Sequence, residues 1–265
     1  MSAALALEGV SVAQGERTVL RGASLALALG EVLVLAGRNG AGKTTLLRTA
    51  TGLLAPSAGR VLLNGRELGS YARREIARRV ALVAQDTTVP FPFTVEEIVL
   101  LGRAPHLGAF GFESREDRRI AGACLERLGI AALAPRSILE LSGGERQLAM
   151  IARALAQTPQ ILLLDEPVAH LDLAHRLALE ELLRSLAQEG KAALLVSHDL
   201  AGAARVADRL ALLAEGRVLA CGTPREVLRA DLMREAFGVE AQLVETSEGP
   251  VIVPRRALAH PESTP

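Results

Sequence analysis

Val32-Leu33-Val34-Leu35-Ala36-Gly37-Arg38-Asn39-Gly40-Ala41-Gly42-Lys43-Thr44-Thr45 is the stretch that decides the fold. Its opening apolar run is what a strand buried on both faces of a parallel sheet requires. The run passes straight into glycines and then into a helical stretch ending near Ala50. Gly37 to Thr44 fits Gly-x-x-x-x-Gly-Lys-Ser/Thr in the required place, after a strand and before a helix. Glycines at this spacing let backbone N–H groups close around phosphate oxygens, and the following helix turns its partial positive end to the same anion. The motif assigns Lys43 to the β- and γ-phosphates of a bound nucleotide and the Thr44 hydroxyl to magnesium. Gly37, Arg38, Asn39, Gly40, Ala41, Gly42 and Thr45 complete the cradle. A glycine-rich turn with a chance lysine is the bland alternative, and the flanking strand and helix argue against it. Composition also singles out Lys43, because only two of the thirty basic residues are lysines.

A second apolar run, Ile161 to Leu164, ends in Asp165-Glu166. Two acids at a strand end are commonly just solvated. Beside a phosphate loop they acquire roles, Asp165 as a magnesium ligand and Glu166 as the general base that polarises the attacking water. Further apolar strands at Val80 to Ala84, Ala192 to Val196 and Leu210 to Leu213 alternate with helices beginning near Gly144, Leu173 and Asp199, which predicts a doubly wound α/β sheet. Upstream, Leu5 to Val12 and Thr18 to Leu29 read as antiparallel strands around a turn at Gln14-Gly15-Glu16, and Arg73 to Arg79 reads as a short helix. Thr94 to Leu139 holds no convincing strand, and Ser114 to Leu128 has helical periodicity. The polar, proline-containing stretch from Arg255 to Pro265 is expected to be loose.

Composition narrows the function classes. The 265 residues suffice for one large α/β domain, and no apolar run approaches a membrane-spanning length. Met1 to Glu8 lacks the basic region of a secretory signal, so a cytosolic location is expected. Thirty acidic residues balance thirty basic ones, which argues against a nucleic-acid partner. Cys124 and Cys221 match no metal or redox spacing and are expected to be buried, reduced thiols. His170 and His175 are five apart, off a common helical face, so they are expected to be surface residues rather than metal ligands, and His106 is expected to be an exposed loop residue.

Leu141-Ser142-Gly143-Gly144-Glu145 combines capping-box spacing of Ser142 and Glu145 with two glycines that leave N–H groups accessible, a second helix start suited to phosphate. With this element the chain resembles the ATP-binding-cassette (ABC) ATPases over about Leu5 to Pro254. The resemblance implies an α/β fold with a P-loop NTPase core, an antiparallel β subdomain and a helical signature subdomain. One domain would span 1–255, with the helical part at about 87–158 and a loose tail over 256–265. It further implies that Ser142, Gly143, Gly144 and Glu145 dock on ATP held by the Lys43 loop of another copy in a homodimer. Gln85 resembles the glutamine that touches magnesium and the lytic water, Asp172 the aspartate facing the partner subunit, and His198 the switch histidine on the γ-phosphate.

Two positions depart from the family pattern. No Phe, Tyr or Trp precedes Tyr71, so the usual adenine-stacking aromatic is absent and Gln14 stands near its place; Val168 replaces the usual threonine or serine. Within the family, Phe91-Pro92-Phe93-Thr94-Val95, Gly102-Arg103-Ala104-Pro105-His106 and the segment Gly222 to Val239 look like the ATPases of bacterial importers for chelated iron and cobalamin, and the first of these leans toward haem. The implied partners are two permease subunits and, indirectly, a substrate-binding protein, at the cytoplasmic face of the bacterial inner membrane. The alternatives are the same motor serving a ferric siderophore or cobalamin, or an ABC ATPase clamping nucleic acid or ribosomes. The latter usually carries a coiled-coil insertion or a tandem cassette, and neither is present here.

Overall fold

Leu5, Leu7, Val10 and Val12 on β1 (Ala3–Gln14) and Leu20, Leu25 and Leu27 on β2 (Arg17–Ala28) are buried along one side of an antiparallel hairpin. A computed structural model describes residues 3–86, 89–108, 111–168, 171–246 and 249–258 of the chain. After the hairpin come β3 (Val32–Ala36), α1 (Lys43–Ala50), β4 (Ala58–Leu63), β5 (Arg66–Glu67), α2 (Arg73–Ala77) and β6 (Val80–Val83). A helical stretch follows, with α3 (Val95–Leu100), α4 (Arg115–Arg127) and α5 (Gly143–Ala156). The chain then returns to alternation: β7 (Ile161–Asp165), α6 (Leu173–Gln188), β8 (Ala192–Val196), α7 (Leu200–Val206), β9 (Arg209–Ala214) and β10 (Arg217–Gly222). It closes with α8 (Pro224–Val227), α9 (Ala230–Phe237) and the hairpin β11 (Val239–Thr246) and β12 (Gly249–Ala257).

The central sheet has the order β10-β9-β3-β8-β7-β6, parallel except for its edge strand β10. Strand alternation divides its side chains between two cores. Val32, Val34, Leu162, Leu164, Leu195 and Leu212 face a layer built by α3 to α7. Leu33, Leu35, Ile161, Leu163, Leu194 and Leu213 face the opposite side, with Leu46 and Leu47 of α1 and the antiparallel sheet β2-β1-β4-β5. Helices therefore lie on both faces, as a doubly wound sheet requires, but an antiparallel sheet completes the second face. All of β3, β7 and β8 is buried, which is why these strands read as unbroken apolar runs. Their carboxyl ends deliver Gly37, Asp165 with Glu166, and Ser197 with His198 to one edge of the sheet.

The helical region hangs on Arg103. Gly102 lies so close to α5 that a Cβ would meet the Arg153 carbonyl oxygen at 2.1 Å, which fixes glycine there. Arg103 follows, buried, donating to the Asp117 carboxylate at 2.8 Å and to the Ala156 carbonyl at 2.7 Å. His106, expected to be exposed, is half-buried, its Nε2 2.9 Å from the Gln157 carbonyl. The Gly-Arg-Ala-Pro-His segment thus clamps α4 and α5 together.

Three expectations need correcting. Arg255, Arg256 and Ala257 are not loose: they belong to β12, and Arg256 pairs with Glu240 at 3.0 Å, because the alternating residues of Val239 to Thr246 supply a partner strand; residues 259–265 lie outside the described residues. Neither cysteine is buried. Cys124 is half-buried, and Cys221 is exposed on edge strand β10, where Arg209 donates to its Sγ at 2.9 Å; both thiols are free.

Asp117 is held well below the usual carboxylate range, first by the Ser114 hydroxyl at 2.6 Å and next by Arg103. A carboxyl depressed in the fold contributes stability that is fully present above its unfolded pKa of about 4 and is lost progressively as pH falls from there through its lower folded value. Asp117→Asn is therefore expected to cost about 3 kcal/mol at pH 7 by leaving Arg103 buried beside a neutral group. Urea denaturation at pH 7 and near pH 3 should show the difference from wild type shrinking in acid.

Candidate functional site

The phosphate loop leaves β3 at Gly37, where a Cβ would meet the Leu213 carbonyl oxygen at 2.2 Å, so the loop rests directly on β9. At its other end Gly42 has φ 106° and caps α1 with no side-chain hydrogen bond, packed against Val19 and Leu20 of β2. Both glycines are required by close approach, and Gly42 also by its left-handed backbone. Between them the loop curls over Lys43, whose Nζ donates to the carbonyls of Gly37 at 2.9 Å and Arg38 at 3.1 Å. A cavity of about 540 Å³ opens above. Asn39, Gly40, Gly42, Lys43, Thr44 and Thr45 form its floor. Gln85 and Glu166, and from the β1–β2 hairpin Gln14, Arg17 and Val19, complete its lining.

Glu166 is the meeting point. Its Oε1 lies 3.8 Å from Lys43 Nζ, and its Oε2 accepts from Gln85 Nε2 at 3.2 Å and lies 3.6 Å from His198 Nδ1. These groups arrive from α1, from the loop after β6, and from the ends of β7 and β8. Glu166 also has φ 51°, left-handed backbone rare outside glycine, held by donation of its N–H to the Val196 carbonyl at 3.1 Å. Nothing in the residue sequence announces that strain, which costs on the order of 1–3 kcal/mol.

Asp165 is buried below, at 3% exposure, and accepts a hydrogen bond from the Thr44 hydroxyl. Burial pushes its carboxyl above the ordinary carboxylate range, with the Thr44 bond acting against the shift. Burial likewise pulls the Lys43 ammonium below its ordinary range, opposed by attraction to Glu166 and Asp165. A hydroxyl, a carboxylate and the Gln85 amide oxygen are the hard oxygen donors that a magnesium ion takes with phosphate oxygens. The costly burial of Asp165 is the feature a cation would offset.

The remaining predicted residues lie outside this cavity. Ser142 caps α5, accepting from the Glu145 N–H at 3.2 Å while the Glu145 carboxylate accepts from the Ser142 N–H at 2.9 Å, so the capping box is formed. Ser142 and Gly143 are exposed and contribute nothing to the lining. Asp172 caps α6, accepting from the His175 N–H at 2.9 Å, and its carboxylate is 3.0 Å from His175 Nδ1. His170 lies outside the described residues. Among those described, no group of three or more His, Cys, Asp or Glu side chains is placed to hold a metal. Sequence reasoning missed Arg17 and Val19 as cavity residues. The signal available was positional, since both follow the hairpin turn that begins at Gln14.

The family model described as ABC transporter matches residues 20–169. A hemin import ATP-binding protein of Myxococcus xanthus is 44% identical over 259 residues, spanning 94% of this chain and 96% of that relative. A ferric enterobactin transport ATP-binding protein of Escherichia coli is 39% identical over 250 residues, spanning 93% of this chain and 92% of the relative. Among solved structures, a chain described as a metal-chelate type ABC transporter in an inward-facing conformation superposes with a TM-score of 0.83 at 29% identity, covering 97% of this chain and 98% of that one.

An acid whose pKa is raised in the fold opposes folding once the pH exceeds its ordinary value, where it must ionise while buried. Asp165→Asn keeps the shape without that charge, so it should raise the melting temperature of the nucleotide-free chain at pH 7.5 by about 2–4 °C. A calorimetric scan showing a lower melting temperature would contradict this electrostatic reading of the site.

Proposed function

The chain belongs to the ABC transporter family, and from that premise we propose that it is the ATP-hydrolysing subunit of an importer for hemin or a related iron chelate. The observation that carries the proposal is the convergence of Lys43, Gln85 and His198 on the Glu166 carboxylate at the mouth of the phosphate-loop cavity. The nearly full-length likeness to proteins named for hemin and enterobactin import supports the cargo class. Hemin is favoured over ferric siderophore or cobalamin by the Phe-Pro-Phe-Thr stretch at Phe91 to Thr94. Neither a nucleic-acid clamp nor a ribosome clamp is supported, since the relatives from Myxococcus xanthus and Escherichia coli are named for import and transport.

In this mechanism the loop N–H groups of Asn39 to Thr45 and the start of α1 receive the phosphates of ATP, and Lys43 turns from Glu166 to the β- and γ-phosphate oxygens. Thr44, Asp165 and Gln85 would hold a magnesium ion, which when bound neutralises phosphate charge. Freed from Lys43, Glu166 accepts a proton from the water whose oxygen attacks the γ-phosphorus, as the bond from that phosphorus to the β–γ bridging oxygen breaks and ADP leaves with the electron pair. Gln85 orients that water, and His198 donates a hydrogen bond to the γ-phosphate. Ser142 to Glu145 of a second copy close over the nucleotide, and Asp172 faces that copy. The homodimer opens after hydrolysis. The helical part at 87–158, within a single domain of 1–255, passes this motion to two permease subunits that receive cargo from a binding protein. No helix of the described residues is long and apolar enough to cross a membrane, so attachment at the cytoplasmic face of the inner membrane would be peripheral, through the permease.

The test is ATP hydrolysis by the subunit reconstituted with its neighbouring permease and binding protein, with hemin, a ferric siderophore and cobalamin supplied in turn. Hemin should stimulate turnover, and Glu166→Gln should lower kcat by about a hundredfold or more. Stimulation by cobalamin or siderophore alone would reassign the cargo. A rate indifferent to all three, with no permease bound, would overturn the importer reading.

A further inference from the structure

The part of the cavity lining that the β1–β2 hairpin contributes has a composition that bears on which nucleotide fits. Gln14 and Arg17 are the last paired residues of that hairpin, and Val19 lines the cavity with them. The hairpin packs closely on the phosphate loop: a Cβ on Gly42 would meet the Leu20 side chain at 2.9 Å and the Val19 carbonyl at 3.2 Å, and Gly216, which accepts from the Arg21 N–H at 2.9 Å, donates its own N–H to the Ala41 carbonyl at 3.2 Å. With the phosphates over Lys43, Gln85 and Glu166 belong to the phosphate side through their contacts with each other and with Lys43. The rest of the lining beyond the loop is Gln14, Arg17 and Val19, which leaves the hairpin for the base.

Among the described residues no aromatic ring lines the cavity. Tyr71 is engaged elsewhere, donating to the Leu63 carbonyl at 2.9 Å and lying under the guanidinium groups of Arg66 and Arg79. Phe91 and Phe93 pack edge to face on each other, and Phe237 packs against the core. Arg17, by contrast, is exposed, and among the described residues no carboxylate or carbonyl engages its guanidinium. A guanidinium is planar and stacks on a π-face, a property a lysine ammonium lacks. Its attraction does not distinguish an adenine face from a guanine face. The neighbouring Gln14 amide carries both a donor and an acceptor, so it can meet either the 6-amino group of adenine or the 6-oxo group of guanine.

On the reading of this cavity as the nucleotide site, we propose that the Arg17 guanidinium is the stacking platform for the base and that the site accepts GTP nearly as well as ATP. Arg17 is then a specificity-determining residue that acts by withholding discrimination. A site that rejected GTP strongly would need a fixed, buried donor or acceptor whose pairing guanine leaves unmet. Gln14 is exposed and can rotate its amide.

The experiment measures equilibrium binding of ATP, GTP and inorganic tripolyphosphate, which has no base, to wild type, Arg17→Ala, Arg17→Lys and Arg17→Tyr. Wild type should bind ATP and GTP within about threefold of each other. Arg17→Ala should weaken both by about three- to tenfold, the range for a partly exposed cation over a ring. Tripolyphosphate binding should be unchanged. Arg17→Lys should recover only part of that loss, because an ammonium keeps the cation–ring attraction without the plane, while Arg17→Tyr should recover affinity for ATP. A loss of tripolyphosphate binding equal to that of ATP in Arg17→Ala would make Arg17 a phosphate contact and overturn the proposal. So would a wild-type preference for ATP over GTP of about thirtyfold or more that Arg17→Ala leaves intact. Binding of neither nucleotide nor tripolyphosphate by wild type would instead refute the nucleotide-site reading itself, and the proposal with it.

Discussion

One buried ammonium organises this molecule. Lys43 is 6% exposed, wrapped by the carbonyls of Gly37 and Arg38, with Glu166 as its nearest counter-charge. A lone cation at that depth is costly, and the arrangement answers the cost from two directions. The loop supplies carbonyl dipoles, and the ends of β7 and β8 supply Glu166 and its fixing bond to Val196. The same Glu166 collects Gln85 and His198, so four segments far apart in sequence are drawn to one point by the need to satisfy charge. On the proposed function, phosphate oxygens would replace the single carboxylate as the ammonium's partner, so the resting contacts would be those of a site awaiting exchange.

Stability has been spent at this edge of the sheet. Asp165 is an acid placed where burial disfavours its charge, and Glu166 sits in left-handed backbone that a non-glycine residue rarely adopts. Such local violations are tolerated where function requires them and the surroundings over-determine the geometry. Here the surroundings are three fully buried strands, β3, β7 and β8, whose side chains fill a core on each face. The Arg103 network performs a matching task on the helical side, joining α4 to α5 so that the Ser142 end of α5 is carried on a firm base.

Much of this was legible in the residues because burial on both faces leaves an unmistakable trace. Val32 to Ala36, Ile161 to Leu164 and Ala192 to Val196 could only be central strands, and each precedes chemistry. The weaker elements were not legible. β4 opens on exposed Ala58, Gly59 and Arg60, β10 is an edge strand with no fully buried residue, and the described positions of β11 and β12 run from half-buried to exposed with none buried. A half-covered edge asks little of its side chains, so it leaves little pattern. The site follows the same division. Motif residues on the phosphate loop were found, while Arg17 and Val19 enter the cavity through the hairpin's packing against Gly42, a tertiary contact that their place after the turn at Gln14 only hints at. Ser142 to Glu145 and Asp172 are placed away from the cavity, capping α5 and α6, so a single chain holds only part of the proposed machinery.

The scarcity of lysine makes the central contact directly observable. Isotope labelling of lysine alone yields side-chain NMR signals from Lys43 and from Lys191, the latter at the surface beside Glu189 at 3.0 Å. If Lys43 holds Glu166 at rest and phosphate when nucleotide arrives, Glu166→Gln must move one of the two signals in the nucleotide-free protein, and ADP must move that same signal in the wild type. The other signal stays still in both experiments. Two signals unmoved by the substitution, or different signals answering to the substitution and to ADP, would contradict the account.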